Sequence, residues 1–242
     1  MNLLKFIPAR LFFSLLGLIS VTETILMMTV NIELETRQLP TWVRAVTDAV
    51  LLTIICAPFL LSHYLRLLRV AYHDSLTGLP NRILFHDRLS QGIALAKREN
   101  KYCALIFMDI DRFKPVNDTY GHHTGDQVLK QISDRLRRCV RESDMVARLG
   151  GDEFTIILPQ IDEKHDAEIV AKKITAEFSH PFDINEHHFQ LGVSVGIAIY
   201  PDNGNNGFLL LKAADNAMYH AKANGGSTYH FAESLLREVH LL

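Results

Sequence analysis

Two apolar stretches, separated by a short polar segment, dominate the first quarter of the chain. Residues 11–30 (LFFSLLGLISVTETILMMTV) contain one charged side chain, Glu23, and residues 49–65 are similarly apolar. A helix needs about 20 residues to cross a bilayer, with a range of roughly 17–25, so both stretches predict transmembrane helices. A signal peptide is the alternative for the first stretch, but no small-residue cleavage site follows it and its apolar part is too long. Two buried core helices are a second alternative.

Basic residues flank the outer ends of this pair: Lys5 and Arg10 come before it, and Arg66 and Arg69 come after it. Because basic residues favour the cytoplasmic side, both ends are expected in the cytoplasm, and these flanks argue against buried core helices. The segment 31–48 would lie outside, where it is too short to hold a sensory domain. Glu23 either pairs between helices or protomers, or lies near a membrane interface.

The second apolar stretch continues without a helix breaker into SHYLRLLRVAYHD. Leu65, Leu68 and Ala71 recur at helical spacing, which predicts a continuous helix leading out of the membrane. This helix could pair with its copy in a dimer. Residues 1–72 are therefore predicted to be a membrane anchor followed by a linker helix.

From about residue 73 the pattern becomes that of a soluble α/β domain. The predicted elements are, in order, a helix capped by Asn81, a buried strand at 103–110, an amphipathic helix through Leu129, Ile132 and Leu136, a hairpin around Gly150-Gly151, a helix at about 165–179, a strand-rich segment FQLGVSVGIAIY, and a helix at about 207–223 that ends at Gly225-Gly226. The order β-α-β-β-α-β is that of a ferredoxin-like split unit. It predicts an α/β (α+β) fold with a ferredoxin-like, palm-type antiparallel sheet and flanking helices.

The charge balance narrows the class of partner. The chain has 25 basic and 27 acidic side chains, of which the first 72 residues hold six and four. The remainder is therefore mildly acidic and lacks the basic surface that a nucleic-acid polymer requires. A polyanion would have to bind at a defined site, through a metal. The three scattered cysteines form no CxxC pair, so they predict buried thiols in a reducing compartment.

Two acidic pairs are the candidate chemical centre. Asp109 and Asp111 lie at the end of the strand 103–110, and Asp152 and Glu153 lie at the tip of the hairpin. In a split β-α-β-β unit these positions converge at one sheet edge, where carboxylates repel each other unless a cation lies between them. Oxygen ligands of this kind suit magnesium, which completes its shell with substrate phosphates. The alternative is a solvated turn with surface acids.

Several motifs of this chain, in order, resemble those of GGDEF-family diguanylate cyclases. They are RLGGDEF at 148–154, DSLTGLPNR at 74–82, DIDRFK at 109–114, the segments Asn117-Asp118, Gly121-His122 and Gly125-Asp126, and AADNAMY with Ala221-Lys222 near the end. The resemblance covers about residues 73–232. It implies a catalytic domain over that range, followed by a tail at 233–242.

The resemblance also implies a metal centre that holds Mg²⁺ or Mn²⁺. By position, Asp109 and Glu153 match metal ligands, and the Ile110 carbonyl matches a further ligand. Asp152 matches the acid near the attacking 3′-hydroxyl, as a metal ligand or general base. A metal between that hydroxyl and the α-phosphate would lower the hydroxyl pKa and stabilise the developing charge.

The substrate-binding positions of the family are carried over in the same way. The Phe113 N–H and Lys114 match triphosphate contacts, and Lys114 is also assigned a catalytic role. Asn117 and Asp126 match the residues that read guanine. Gly151 matches a position where the backbone approaches the nucleotide closely, and Lys222 matches a second phosphate contact. The family pattern continues with an arginine where this chain has Gly226. Introducing arginine at position 226 is therefore expected to strengthen GTP binding, or to leave it almost unchanged if another cation such as Lys212 or Arg112 already fills the site. Weaker binding would mean that Gly226 is needed for its backbone conformation as a helix terminator.

The motif Arg141-Glu142-Ser143-Asp144 precedes the hairpin at the spacing of the family's product-inhibition site. Arg141 and Asp144 are therefore expected to bind the product allosterically, since arginine can contact guanine O6 and N7 bidentately. The alternative is a local ion pair of little energetic value.

The resemblance implies an enzyme that condenses two GTP into cyclic di-GMP at the interface of a homodimer, with product feedback inhibition. It would lie in the inner (cytoplasmic) membrane with its catalytic domain in the cytoplasm. The rival is a binding module, a GGDEF-like receptor that senses GTP or cyclic di-GMP without synthesis. Such a receptor normally lacks part of the motif set, and here only Gly226 departs from it.

Overall fold

A single long helix, α1, opens the part of the chain that the computed structural model describes, residues 40–233. It spans Thr41–Tyr72, 32 residues with Pro58 inside, and it contains the predicted span at 49–65. Among the described residues, α1 is the helix long and apolar enough to cross a bilayer. It continues without interruption to Tyr72, as predicted. The other predicted span, 11–30, lies outside the described residues, so the prediction of two spans remains an expectation.

The chain divides into two compact units between Leu68 and Arg69. The elements of the second unit that follow α1 are α2 (Arg82–Glu99), β1 (Tyr102–Asp111), α3 (Phe113–Tyr120), α4 (His122–Cys139), β2 (Met145–Gly150), β3 (Glu153–Ile161), α5 (Lys164–Phe178), β4 (Phe182–Ile184), β5 (His187–Phe189), β6 (Gly192–Tyr200), α6 (Gly207–Ala223) and β7 (Tyr229–Phe231). The predicted helices and strands are all present. The helix α3, the β4–β5 hairpin and β7 were not predicted.

The main sheet has five strands in the order β2-β3-β1-β6-β7. The pairs among β1, β2, β3 and β6 are antiparallel, in the predicted ferredoxin-like order. However, β7 pairs with β6 in parallel, with Val195 opposite Tyr229. The expected antiparallel sheet is therefore a mixed one, because the chain after α6 returns to the sheet edge in the same direction as β6.

Helices cover both faces of this sheet, which explains why β1 is apolar at successive positions. Side chains of β1 alternate between the two faces. Cys103, Leu105 and Phe107 pack with α2 and α6, whereas Ala104, Ile106 and Met108 pack with α4 and α5. The sheet therefore separates two hydrophobic cores, one on each of its faces.

Local polar groups fix where the helices begin. The Asn81 side chain accepts hydrogen bonds from the Ile83 and Leu84 backbone N–H groups at 3.0 and 3.2 Å, so it caps α2 as predicted. The Asn206 side chain accepts from the Leu209 N–H at 3.0 Å and caps α6 in the same way. These two caps therefore fix the residues at which α2 and α6 begin.

Polar contacts hold the last strand, β7, and the residues that follow it in place. The Tyr229 hydroxyl donates to Glu168 of α5 at 2.8 Å, and Lys172 also pairs with Glu168 at 2.8 Å. Beyond β7, the side chain of Asn203 (5% exposed) accepts from the Ile199 N–H at 2.7 Å. Its amide donates to the carbonyls of Ala232 and Glu233. Asn203 therefore substitutes for a strand partner where β7 is too short to pair.

Candidate active site

The acidic residues identified from the sequence meet at one end of the sheet. Asp109 and Glu153 are directly opposite each other in the β1–β3 register. Asp152 lies in the two-residue turn between β2 and β3, after Gly151, whose φ of +52° is in the left-handed region that glycine adopts without strain. The predicted convergence of Asp109, Asp152 and Glu153 is thus present in the structure.

The electrostatics of this end reflect crowded carboxylates. Burial raises the pKa of Asp109, and the neighbouring Asp152 and Asp111 raise it further, against the lowering effect of Lys222. Burial also raises the pKa of Glu153, with added repulsion from Asp215, Asp109 and Asp152. The Lys222 ammonium donates to Asp109 Oδ1 at 2.6 Å. Hydrogen bonding and charge attraction to Asp109 raise the pKa of Lys222, so the lysine stays protonated and supplies positive charge here.

These residues fit a hard divalent cation. The available donors are carboxylate oxygens and the backbone carbonyl of Ile110, and the pKa values of Asp109 and Glu153 are raised by burial and by their acidic neighbours, against the lowering effects of Lys222 and Arg82. In residues 40–233, no group of three or more His, Cys, Asp or Glu side chains is arranged to enclose a metal ion. Mg²⁺ does not need such a cage, because it keeps several waters and is bound by one or two carboxylates together with substrate phosphates.

A cavity of about 300 Å³ adjoins the acids. Six of the predicted site residues line it, namely Phe113, Lys114, Asn117, Asp126, Gly151 and Asp152. His122, Leu129 and Arg148 line it as well. None of the three was predicted as a site residue, although Arg148 lies two residues before Gly150 in the RLGGDEF motif. The predicted guanine readers and the residues Phe113 and Lys114 therefore surround one space, whereas Asp109, Glu153 and Lys222 do not line it.

The unpredicted helix α3 carries one wall of this cavity. It begins at Phe113, after Arg112 in the left-handed conformation with φ +58°. Asn117 projects from α3 towards α4, where Gly125 makes room for it: a Cβ at Gly125 would overlap the Asn117 Oδ1 atom. Asp126 follows Gly125 on α4. Glycine at 125 thus allows Asn117 and Asp126 to face the same cavity.

The hairpin tip is held by Arg148, whose side chain is only 10% exposed. Its Nε and Nη2 donate to the Gly151 carbonyl at 3.0 and 2.7 Å. Its Nη1 donates to Asp74 Oδ1 at 2.9 Å, and Asp74 also accepts from the Thr77 hydroxyl at 2.6 Å. The turn that carries Asp152 is therefore fixed to the segment that precedes α2.

The conformation and surroundings of Gly226 argue against arginine at this position. Gly226 has a φ of +72°, and a Cβ there would lie 2.6 Å from Asp111 Oδ2 and 2.9 Å from Asp111 Cγ. Its backbone N–H donates to the Ala221 carbonyl at 3.1 Å, which closes the end of α6. Arginine at 226 would thus need both a strained backbone and displacement of Asp111. The exception named in the sequence analysis, a conformational need for glycine, is the one that the geometry favours.

The predicted product-binding residues line a separate cavity of about 460 Å³. Its walls include Leu79, Pro80, Arg137, Arg141 and Asp144. Asp144 Oδ2 accepts a hydrogen bond from the Arg141 backbone N–H at 2.9 Å. The main chain, rather than the Arg141 guanidinium, therefore closes this turn.

Comparison with known proteins agrees with this geometry. The family model described as "Diguanylate cyclase, GGDEF domain" matches residues 71–228. The chain is 46% identical over 168 residues to the bifunctional diguanylate cyclase/cyclic di-GMP phosphodiesterase MucR of Pseudomonas aeruginosa, covering 69% of this chain and 24% of the relative. It is 42% identical over 164 residues to the diguanylate cyclase TpbB of the same species, covering 67% of this chain and 38% of TpbB. The chain thus spans less than two fifths of either relative.

Solved structures show the same fold. The GGDEF domain of TpbB from P. aeruginosa has a TM-score of 0.66 at 40% identity, with 70% of this chain and 99% of that one covered. The coiled coil and GGDEF domain of DgcB from Caulobacter crescentus, determined in complex with c-di-GMP, has a TM-score of 0.70 at 29% identity, with 78% and 100% covered. Together with the family match, which extends over more than half of the chain, these similarities show that the chain belongs to the diguanylate cyclase GGDEF-domain family.

Proposed function

We propose that this protein is a diguanylate cyclase that condenses two GTP molecules into cyclic di-GMP and releases two pyrophosphates. The observation that carries the proposal is the meeting of Asp109, Asp152 and Glu153 beside a cavity lined by Lys114, Asn117 and Asp126. Family membership gives the activity, and relatives described as diguanylate cyclases support it.

Each half-reaction forms one phosphodiester bond. The 3′-hydroxyl oxygen of one nucleotide attacks the α-phosphorus of the other, the bond from that phosphorus to the bridging oxygen breaks, and pyrophosphate leaves. Asp152 takes the hydroxyl proton. Asp109, Glu153 and the Ile110 carbonyl would hold Mg²⁺ or Mn²⁺, which when bound would supply positive charge to acidify the hydroxyl and stabilise the transition state.

The remaining side chains bind and orient the nucleotide. Asp126 can accept from guanine N1–H and N2–H, while Asn117 can both donate and accept. The Phe113 N–H lies at the start of α3, where unpaired amides favour anions. Lys114 adds a positive charge for the triphosphate, and Lys222 moves its pairing from Asp109 to phosphate. Gly151 leaves space for the nucleotide beside the hairpin.

One site of this kind holds one GTP, so two subunits must face each other for bond formation. We propose a homodimer in which α1, with the predicted first span at 11–30, forms a membrane anchor and raises the effective concentration of the two domains. Basic residues beyond the apolar part of α1 support a position of the catalytic domain, residues 73–232, in the cytoplasm under the inner membrane. The length and apolar character of α1 support this assignment.

The cavity at Arg141 and Asp144 is proposed to bind cyclic di-GMP and inhibit the enzyme. Because the Arg141 backbone closes the local turn, the guanidinium can contact a guanine edge. This cavity does not share lining residues with the proposed substrate cavity, so product could bind without displacing GTP.

The function is tested with the full-length protein in detergent, GTP, and Mg²⁺ or Mn²⁺, with products identified by mass spectrometry. Cyclic di-GMP should form only with the divalent cation. Asp152→Ala and Glu153→Ala should each reduce the rate by about a hundredfold or more, since each loses a charged group at the reacting atoms. Asp87→Ala, which changes an exposed acid on α2, serves as the matched control and should keep the wild-type rate. GTP binding without product in the wild type would contradict the enzymatic proposal.

A further inference from the structure

Asp111, the second acid of the DIDRFK segment, has partners that differ from those of Asp109. Its Oδ1 accepts from the Ser194 hydroxyl at 2.6 Å, and Ser194 is fully buried on β6. Its Oδ2 accepts from the Ser227 backbone N–H at 2.7 Å. Both carboxylate oxygens of Asp111 therefore accept from uncharged donors, a hydroxyl and a backbone N–H, whereas Asp109 accepts from the charged ammonium of Lys222.

The Asp111 contacts fasten the turn that follows α6. Gly226 and Ser227 lie in this turn with positive φ values of +72° and +51°, and the space beside Gly226 is filled by the Asp111 carboxylate. At its other end, the turn is tied to α6 by the Gly226 N–H, which donates to the Ala221 carbonyl. Asp111 thus connects the end of β1 to the last turn of α6.

That last turn carries Lys222. Lys222 reaches Asp109 from α6, and a short, hydrogen-bonded segment separates it from Ser227. If the turn moved away from β1, the lysine ammonium would move with it.

We propose that Asp111 is a positioning residue, not a metal ligand: it holds the turn after α6 so that Lys222 stays within reach of the GTP triphosphate. The proposal rests on the proposed function of Lys222 as a phosphate contact. It distinguishes the two acids of the DIDRFK segment: Asp109 is the proposed ligand of the cation, whereas both oxygens of Asp111 are occupied by Ser194 and Ser227.

The test measures binding of α,β-methylene-GTP, whose α–β bridge cannot be cleaved, to the full-length protein in detergent. Asp111→Ala should weaken binding about three- to tenfold, because Lys222 is displaced from the phosphates. Asp111→Asn should stay within about twofold of the wild type, since its carbonyl can accept from Ser227 and its amide can donate to the Ser194 oxygen. Mn²⁺ affinity at saturating nucleotide, followed by electron paramagnetic resonance, should be unchanged in both variants.

A double-mutant cycle with Lys222→Met identifies the route of the effect. If Asp111 acts through Lys222, then Asp111→Ala should have almost no further effect on nucleotide binding once the lysine is absent. Ser194→Ala, which removes one of the two contacts and leaves the carboxylate, should show a smaller loss that disappears in the same background. This variant also keeps the test open if Asp111→Ala fails to fold.

Three results would overturn the proposal. Loss of Mn²⁺ affinity in both Asp111 variants would make Asp111 a metal ligand. Additive effects with Lys222→Met would mean that it does not act through the lysine. Tighter nucleotide binding by Asp111→Ala would mean that its negative charge outweighs any positioning. Because these measurements require binding and not synthesis, they remain informative if the wild type forms no cyclic di-GMP, which would count against the proposed function alone.

Discussion

Replacing Gly226 with arginine tests whether the conformation of the α6 terminus matters more than an added positive charge. The family motif favours arginine at this position, yet Gly226 has a φ of +72° and its Cβ position lies 2.6 Å from Asp111 Oδ2. We expect Gly226→Arg to raise KM for GTP rather than lower it.

The size of the expected change in KM follows from two unfavourable contributions and one favourable one. A non-glycine residue in the left-handed region costs roughly 1–2 kcal/mol. Displacing Asp111 also weakens its hydrogen bond with the Ser227 N–H, which is worth about 1 kcal/mol. Against this, a charge-assisted bond to phosphate contributes about 1.5–3 kcal/mol, but only if the turn keeps its place, and salt screening reduces it on an exposed rim. The two unfavourable contributions therefore outweigh the favourable one, and we expect KM to rise by about a few-fold to tenfold.

The same strain should lower thermal stability. A cost of about 2–3 kcal/mol corresponds to a decrease in Tm of roughly 4–12 °C for a domain of this size. Steady-state kinetics and thermal melts are measured for the wild type, Gly226→Arg and Gly226→Ala. The alanine variant introduces the Cβ without the cation, so the difference between the two variants isolates the charge. A Gly226→Arg enzyme with lower KM and unchanged Tm would refute the conformational argument.

Three further predictions concern other parts of the molecule. Removal of residues 1–60 should lower specific activity at low protein concentration, and fusion to a dimerising coiled coil should restore it; activity per subunit that is independent of dilution would contradict the dimer proposal. Arg141→Ala should relieve inhibition by cyclic di-GMP without reducing the maximal rate. An unchanged inhibition curve would mean that Arg141 and Asp144 form only a local contact and do not bind the product. Hydrogen bonding to Lys172, with further bonds from Tyr229 and His165, lowers the pKa of Glu168 from 4.5 to about 2. Glu168 therefore stabilises the fold above about pH 4.5 and loses that contribution as the pH falls towards 2, so the Tm difference between wild type and Glu168→Gln should shrink over this window; an equal difference at pH 7 and pH 3 would contradict it.

The sequence predicted those parts of the fold in which local signals and burial agree. The Asn81 cap lies directly before α2, and the uninterrupted apolar run of β1 reflects its position between two helical layers. The helix α3 was missed because its eight residues contain just two buried apolar side chains, Phe113 and Val116, which is too few to establish a period. Strand β7 has three residues, and its parallel pairing depends on the path of the chain after α6.

The residues around the site were predicted from motifs, whereas the contacts that hold them were not. Asp109 and Glu153 follow from the order of strands, since both lie at the same end of neighbouring strands. The bond from Arg148 to Asp74 joins residues 74 positions apart, and the bond from Ser227 to Asp111 joins residues 116 positions apart. Neither contact has a local pattern in the sequence. The argument against arginine at position 226 depends on the Asp111 carboxylate beside Gly226, a long-range contact that motif matching alone does not show.

Asn203 has a consequence for how this protein behaves at high concentration. A strand edge with unpaired N–H and C=O groups is a template for pairing with another chain. Because β7 covers only part of β6, such a template would exist at Ile199 if Asn203 did not occupy it, through bonds in both directions between the two residues. The buried amide thereby removes this part of β6 as a template for edge-to-edge pairing, and the exposed edge on this side of the sheet is reduced to the short strand β7.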